Sequence, residues 1–346
     1  MFATTSRKNK EKVTRKLHAA VAPSAELQNV VEEILRKGNA VDAVVAGVFA
    51  ACAVSPGVLL GPVQILIGGA GAGLCAFDGR VRQPGLGVPR PRGFPLLGQD
   101  IPNAARIGVP WLPATLSAAL ATSGTATLAQ VLAPAIALAS GTPRAMVLSQ
   151  IAGRGPRAIE ERPISSELFA LAGRANGGLL TTRDLASPEP KVIMATRTEI
   201  GLSHVFTLPW EHIEGGLPAA PAVDVDIQAV RGLAAVDRHG TFAVAAWNES
   251  SFGEIIAELG LRAPLMAEPV RRGIPRERPG EIRPAGAPIA LVALAGDAAR
   301  PHVALAAFGA HDAYDVLQGA VRDLLRSGRI EAQGEARLAA VTRTSC

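Results

Sequence analysis

Aromatic residues are scarce in this chain, at 4% of 346 positions, and it has a single Tyr. Recognition of bases or sugars by stacking needs several aromatic faces, so that class of function is excluded. Cysteine is scarcer still, with Cys52, Cys75 and Cys346 an odd and widely spaced set. No spacing resembles a zinc knuckle and the six His are dispersed, which argues against a disulfide framework and against any metal. Cys52 and Cys75 lie in apolar runs and read as buried thiols. Long apolar stretches are missing too. Gly or Pro breaks the Ala, Val and Leu runs well before the roughly 18–20 residues of a membrane span. There is no G-x-S-x-G elbow, no Walker lysine and no H-E-x-x-H pair.

What is present suits a globular core: 48% of residues are hydrophobic and 19% charged. The net charge is +5, from 35 basic and 30 acidic residues mixed along most of the chain. Two basic clusters depart from that mixing, Arg7 to Lys12 and Arg271 to Arg283. Neither carries interleaved aromatics or a nucleic-acid motif, so no nucleic-acid partner is expected. The first cluster reads as a solvated, mobile terminus spanning 1–24. It lacks the apolar stretch and small-residue cleavage site of a secretory signal, which predicts a cytoplasmic protein.

Helical spacing of Leu27, Val30, Val31, Ile34 and Leu35 predicts a helix from Pro23 to Lys37, capped by Ser24 and stopped by Gly38. Asn39 is placed to cap a second helix from Ala40 to about Ala53, apolar almost all round and therefore buried. Val63–Ile67 and Leu74–Phe77 read as strands around the glycine run 68–73, with Asp78-Gly79 as a hairpin turn into Arg80-Val81-Arg82. A Pro/Gly-rich loop over 83–110 precedes helices at Pro113–Thr122 and Leu128–Ser140. In the second half, Leu233–Asp237 and Thr241–Trp247 form a strand–turn–strand, as do Ile289–Ala295 and Val303–Phe308. Asp312–Leu325 closes the pattern with a helix. Helices early and paired strands late predict an α+β fold of helices layered on antiparallel sheets, not a doubly wound parallel sheet.

The glycine run is not a dinucleotide fingerprint. The third glycine would fall on Leu74, and a strand follows where a helix is required. No cofactor is therefore expected, and Gly68, Gly69 and Gly71 are expected to let a strand pack closely against its neighbours. His311 with Asp312 and Asp315 reads either as an acid/base cluster or as a helix start, where carboxylates favour the positive end of the dipole.

Taken together, Leu35-Arg36-Lys37-Gly38-Asn39-Ala40-Val41-Asp42-Ala43, the run Gly68–Gly73 with Phe77-Asp78-Gly79, Gly108-Val109-Pro110, Leu128–Ala139, and Gly177-Gly178-Leu179-Leu180-Thr181 with Asp184-Leu185 resemble the gamma-glutamyltranspeptidase family. Val236-Asp237 with Gly240, Phe252-Gly253, Pro279-Gly280 and Arg283-Pro284 fall in family order. The resemblance spans about 25–330 and implies the N-terminal-nucleophile fold, a four-layer αββα sandwich normally made of two chains after self-cleavage. It divides the domain into a large-subunit-like half (25–190) and a small-subunit-like half (229–330), leaving 331–346 as a tail.

The same resemblance exposes departures. The family's threonine nucleophile would fall near Ala229-Val230-Arg231, and no Thr, Ser or Cys lies between Asp226 and Asp237. The paired serines after arginine–proline are replaced by Ala285 and Gly286. The oxyanion glycine pair falls on Phe308-Gly309, ahead of Ala310 and His311. The carboxylate-gripping arginine would lie near Gly87, with Arg82 or Arg90 as substitutes, and the amine-gripping acid falls near Val270-Arg271. Without a hydroxyl or thiol there is no acyl-enzyme, and lost oxyanion donors cost further orders of magnitude. The expectation is a non-catalytic binding or assembly partner, forming homo-oligomers or hetero-oligomers with a relative. Its expected ligand is a small anion without a free amine, held by Arg271, Arg272, Gly309 and His311. Two enzyme readings stand beside it. One is an amide hydrolase or acyltransferase whose nucleophile has moved to Thr241, Ser250 or Ser251; the other uses the His311 cluster.

Overall fold

A computed structural model describes residues 18–70, 72–88, 101–186, 190–223, 225–269, 278–295, 300–331 and 334–342. The chain opens with strand β1 (Ala19–Val21) and helices α1 (Ala25–Lys37) and α2 (Ala40–Val54), followed by β2 (Val63–Gly69) and β3 (Ala72–Gly79). Four longer helices come next, α3 (Leu112–Ser123), α4 (Leu128–Leu138), α5 (Pro143–Arg154) and α6 (Ile164–Ala172), then the single turn α7 (Thr182–Leu185). Strands β4 (Val192–Met194), β5 (Thr196–Ile200), β6 (Ser203–Thr207), β7 (His212–Glu214) and β8 (Leu217–Ala219) lead to the long hairpin β9 (Val230–Val236) and β10 (Thr241–Asn248). The remainder is β11 (Glu254–Ile256), β12 (Leu261–Ala263), β13 (Ile289–Ala293), β14 (Val303–Phe308), α8 (Ala313–Ser327) and β15 (Arg337–Thr342).

Two antiparallel sheets stack face to face, one ordered β1-β9-β10-β2-β3-β4 and the other β15-β14-β13-β6-β5. Alternation along the strands divides the core into three slabs. Leu233, Ala235, Ala243, Ala245 and Trp247 meet the helices over the first sheet. Val230, Ala234, Val236, Val244 and Ala246 meet Leu291, Ala304 and Phe308 between the sheets. Val292, Val303 and Leu305 meet Tyr314, Leu317 and Val321 of α8 on the far side. Helices, sheet, sheet and helix make the expected α+β four-layer αββα sandwich.

Three buried carboxylates fix the joints of this frame. Asp42, with no exposed surface, accepts from the backbone N–H groups of Asn39, Thr125 and Ala126 and from the Thr125 hydroxyl. Asn39 caps α2 reciprocally with Asp42, and a Cβ at Gly38 would collide with the same carboxylate. Asp184 takes the N–H groups of Gly85, Leu86 and Thr181 and the Thr181 hydroxyl. Asp237 takes those of His239 and Thr241 at 2.8 and 3.0 Å and that of Ala40 at 3.3 Å, tying the β9–β10 turn to the start of α2.

The glycine run behaves as expected where it is described. β2 and β3 pair as a hairpin, a Cβ on Gly68 would come within 2.6 Å of Leu74, and Gly69 has φ +114° with Gly240 O occupying the place a Cβ would take. Gly71 lies outside the described residues. Other expectations need correction. Asp78-Gly79 is no hairpin turn: both residues continue β3 opposite Gln64 and Val63, and Asp78 is ion-paired with Arg80 and Arg82. The expected mobile segment 1–24 contains β1, which pairs with β9, and the expected tail 331–346 contains β15, which pairs with β14. Cys52 is buried, but Cys75 is only half-buried.

Candidate functional site

The hairpin register defines the place where an N-terminal nucleophile would stand. Val230 opens β9 opposite Asn248 at the end of β10, with its side chain in the slab between the sheets. The turn leading into it is fully hydrogen-bonded: Asp226 Oδ1 accepts from Ala229 N, Val230 N donates to Ile227 O, and Glu249 N donates to Ala229 O.

A cleft of about 610 Å³ opens beside this strand end. Asp226 and Asn248 form one wall, Ser250 and Phe252 the rim, and Pro264 to Pro269 the opposite wall. Arg106 reaches in from the Pro/Gly-rich segment, and Arg283 to Gly286 lie along the floor. That floor is held from beneath. Gln64, the one side-chain amide in the apolar strand β2, donates to Ala285 O and accepts from the indole N–H of Trp210. The Tyr314 hydroxyl accepts from Ala287 N and donates to Glu211. Burial pushes the Glu211 carboxyl up to about 7, against the opposing pull of the Tyr314 hydrogen bond and of Arg80. Burial, then the neighbouring Glu211, raises Tyr314 well above the usual phenol range.

Charges in the cleft are unevenly matched. Arg283 lies 3.8 Å from Glu268 and donates Nε to Met266 O. Asp226 is engaged by Ala229 N. Arg106 has no hydrogen bond or ion pair from its guanidinium to a described residue, and its Nε is sealed from solvent without a partner. Asp226 and Glu268 both line the cleft, so it carries carboxylates as well as arginines.

The sequence-predicted residues scatter. Among the described candidates Ser250 alone lines this cleft, and its hydroxyl is bonded to the backbone N–H and C=O of Phe252, with no base among its described partners. Ser251 is exposed on the loop beside it. Thr241 sits at the other end of β10, seven residues and roughly 23 Å along the strand, and its buried hydroxyl donates to Ala70 O. Gly309 (φ +90°) lines a second cleft of about 540 Å³ with Trp247, Arg337 and the Arg231–Glu249 ion pair (3.1 Å). His311 is exposed just before α8, and Asp312 beside it accepts from Glu335 N and Ala336 N, a structural tie to the approach of β15. Arg271, Arg272 and Arg90 lie outside the described residues. Among the described residues no group of three His, Cys, Asp or Glu side chains is placed to hold a metal.

Arg106, Asp226, Glu268, Gln64, Glu211 and Tyr314 were missed by sequence reasoning. Two of them carried a local signal, a lone glutamine inside an apolar strand and the chain's single tyrosine.

Neither a family model nor a curated protein sequence matches this chain. Solved structures do. Cephalosporin acylase from Bacillus halodurans superposes with a TM-score of 0.71 at 15% identity, over 95% of this chain and 84% of that one. The protein LmbA2991HD gives 0.68 at 16% identity, over 90% and 81%. Helicobacter pylori gamma-glutamyltranspeptidase gives 0.50 at 22% identity, over 59% and 72%. At these identities the likeness is one of fold. The chain has the architecture of the N-terminal-nucleophile hydrolases, and the acylase matches more of it than the transpeptidase does.

Proposed function

We propose that this protein is a non-catalytic binding protein on an N-terminal-nucleophile scaffold, taking a small anionic ligand in the 610 Å³ cleft. One observation carries the reading. The residue opening β9, where this fold presents its nucleophile, is Val230, and its side chain is buried between the sheets. A valine has no lone pair to attack a carbonyl, either of a substrate or of its own preceding peptide. Arg231, next along, is engaged three ways, with Gln228 O, Val230 O and Glu249. Assembly with a relative or with itself belongs to the same proposal, as does a cytoplasmic location.

Ser250 supports a second reading, because it lines the same cleft two residues beyond the partner of Val230. A relocated nucleophile would still need a base to take its proton, and none of the Ser250 hydrogen bonds reaches one.

The test is to purify the protein, run it on a denaturing gel after prolonged incubation, and assay it against gamma-glutamyl anilide and simple acyl amides. The expected outcome is one full-length band and no turnover above buffer. Fragments that break between 226 and 252, or turnover abolished by Ser250→Ala, would overturn the proposal in favour of the second reading.

A further inference from the structure

Within the cleft, the Arg106 cation has no counter-charge among the described residues. Arg106 ends a short 3-10 turn, Asn103–Arg106, and its carbonyl oxygen accepts from Ala267 N, which pins the turn to the opposite wall. The backbone that carries the side chain is therefore fixed. Its Nε is buried and unpartnered, and no described carboxylate lies within ion-pair distance of the guanidinium. Of the two carboxylates in the cleft, Glu268 faces Arg283 and Asp226 serves its own turn. A partly desolvated guanidinium without a counter-charge is costly, because the water it loses is not replaced. An incoming carboxylate would replace it, since guanidinium and carboxylate match through parallel N–H···O bonds.

Part of the cleft rim is apolar and exposed in a way a folded chain ordinarily avoids. Phe252 is 76% exposed and Val223 50%, and both line the cleft together with Leu265 and Met266. Exposed apolar side chains beside a concave site with a few placed polar groups are the anatomy of a small-molecule pocket. We infer that the cleft binds a compact apolar monocarboxylate, its carboxylate on Arg106 and its hydrocarbon body under Phe252 and Val223. A zwitterionic amino acid fits less well. Its ammonium would have to displace Arg283 from Glu268 or Ala229 N–H from Asp226, and its polar body would not cover the rim.

This inference rests on the binding role proposed above, and the experiment separates the two. Calorimetry on the full chain at pH 7 would use hexanoate and benzoate, with hexanamide, glutamate and glutathione as comparators. Hexanoate or benzoate is expected to bind at least about tenfold more tightly than hexanamide, the scale of one charge-assisted hydrogen bond. Glutamate and glutathione should be weaker than either carboxylate. Arg106→Gln should remove the preference for carboxylate over amide, Arg106→Lys should restore part of it, and Phe252→Ala should weaken both ligands alike. Equal binding of hexanoate and hexanamide by the unaltered protein would overturn the assignment even if the Arg106 variants failed to fold. So would tighter binding of glutamate, or a carboxylate preference that survives Arg106→Gln. Cleavage of an acyl amide with an Arg106-dependent affinity would overturn the non-catalytic role and leave the arginine anchor standing.

Discussion

Asp42 is a fully buried charge and Arg106 a half-buried one with a sealed Nε, and they have been treated in opposite ways by the fold. The carboxylate of Asp42 accepts four hydrogen bonds from three residues on two segments more than eighty positions apart. Asp184 and Asp237 are satisfied in the same manner. The guanidinium of Arg106 has no described partner, although its backbone is tied down. A buried charge with a full complement of hydrogen bonds is a joint, while a partly desolvated one without a described partner is a cost that a ligand would relieve under the proposal above. This difference separates the frame of the molecule from its cleft.

The largest effect should follow from breaking a joint. Asp42→Ala leaves three backbone N–H groups and one hydroxyl without an acceptor, at roughly 3–5 kcal/mol of stability in urea denaturation. A loss below about 1 kcal/mol would show that the frame does not depend on these carboxylates and would dissolve the comparison. Next in size is Gly69→Val. It places a branched side chain at φ +114° with Gly240 O against its Cβ, so a loss of at least about 2 kcal/mol is expected, with no change in hexanoate affinity. A shift in affinity larger than about threefold would mean that the hairpin and the cleft are not independent.

The frame was far more legible in the sequence than the cleft, for physical reasons. Ser24, Asn39, Asp42, Thr181 and Asp184 form caps within three residues that a spacing rule captures, although the further bonds of Asp42 and Asp184 reach across the chain. The β9–β10 hairpin announced itself through apolar runs on either side of Arg238-His239-Gly240. By contrast, β1 is three residues long and gains its ladder hydrogen bonds from β9, more than two hundred positions away. Residues 337–342 alternate between exposed and buried, but two small alanines make the pattern weak. The cleft is assembled from loops at 106, 226, 248–252, 264–269 and 283–286, and no window of the sequence contains more than one wall. The family resemblance placed the nucleophile position at the strand end that the structure shows to be the start of β9, at Val230. It placed the anionic grip at Arg271, Arg272, Gly309 and His311, of which the two arginines lie outside the described residues, and the described cleft is lined by Arg106 and Arg283.

Between frame and cleft lies the support under Ala285 and Ala287, where Glu211 is a half-buried acid with no cation in direct contact among its described partners. Its carboxyl is raised to about 7 from an ordinary 4.5, so the folded protein holds a proton that the unfolded chain has released. Between those two pH values the folded state binds more protons, and stability therefore falls as pH rises from about 4.5 to about 7, then levels off. Glu211→Gln removes that proton linkage. The thermal midpoint of the variant should decline less across this window than that of the unaltered protein, and the gap should be widest at pH 8. Parallel midpoint curves for the two proteins would place Glu211 in a wetter setting and detach it from the support of the floor.

The smallest effect is expected at Arg106, and its sign sharpens the comparison most. If the guanidinium were a joint like Asp42, Arg106→Gln would cost several kcal/mol, as breaking a buried pair does. Because no described partner is left behind, the substitution removes only the burden of an uncompensated charge and retains part of the stem that packs against the wall. Stability in urea, without ligand, should change by less than about 1 kcal/mol, with a gain the expected direction. In saturating hexanoate the order should reverse. The unaltered protein gains about 2.7 kcal/mol at a hundred times its dissociation constant, while the variant gains much less. A crossing of the two proteins between apo and ligand-bound conditions identifies a charge kept for a ligand, and a variant that is weaker in both identifies a structural arginine.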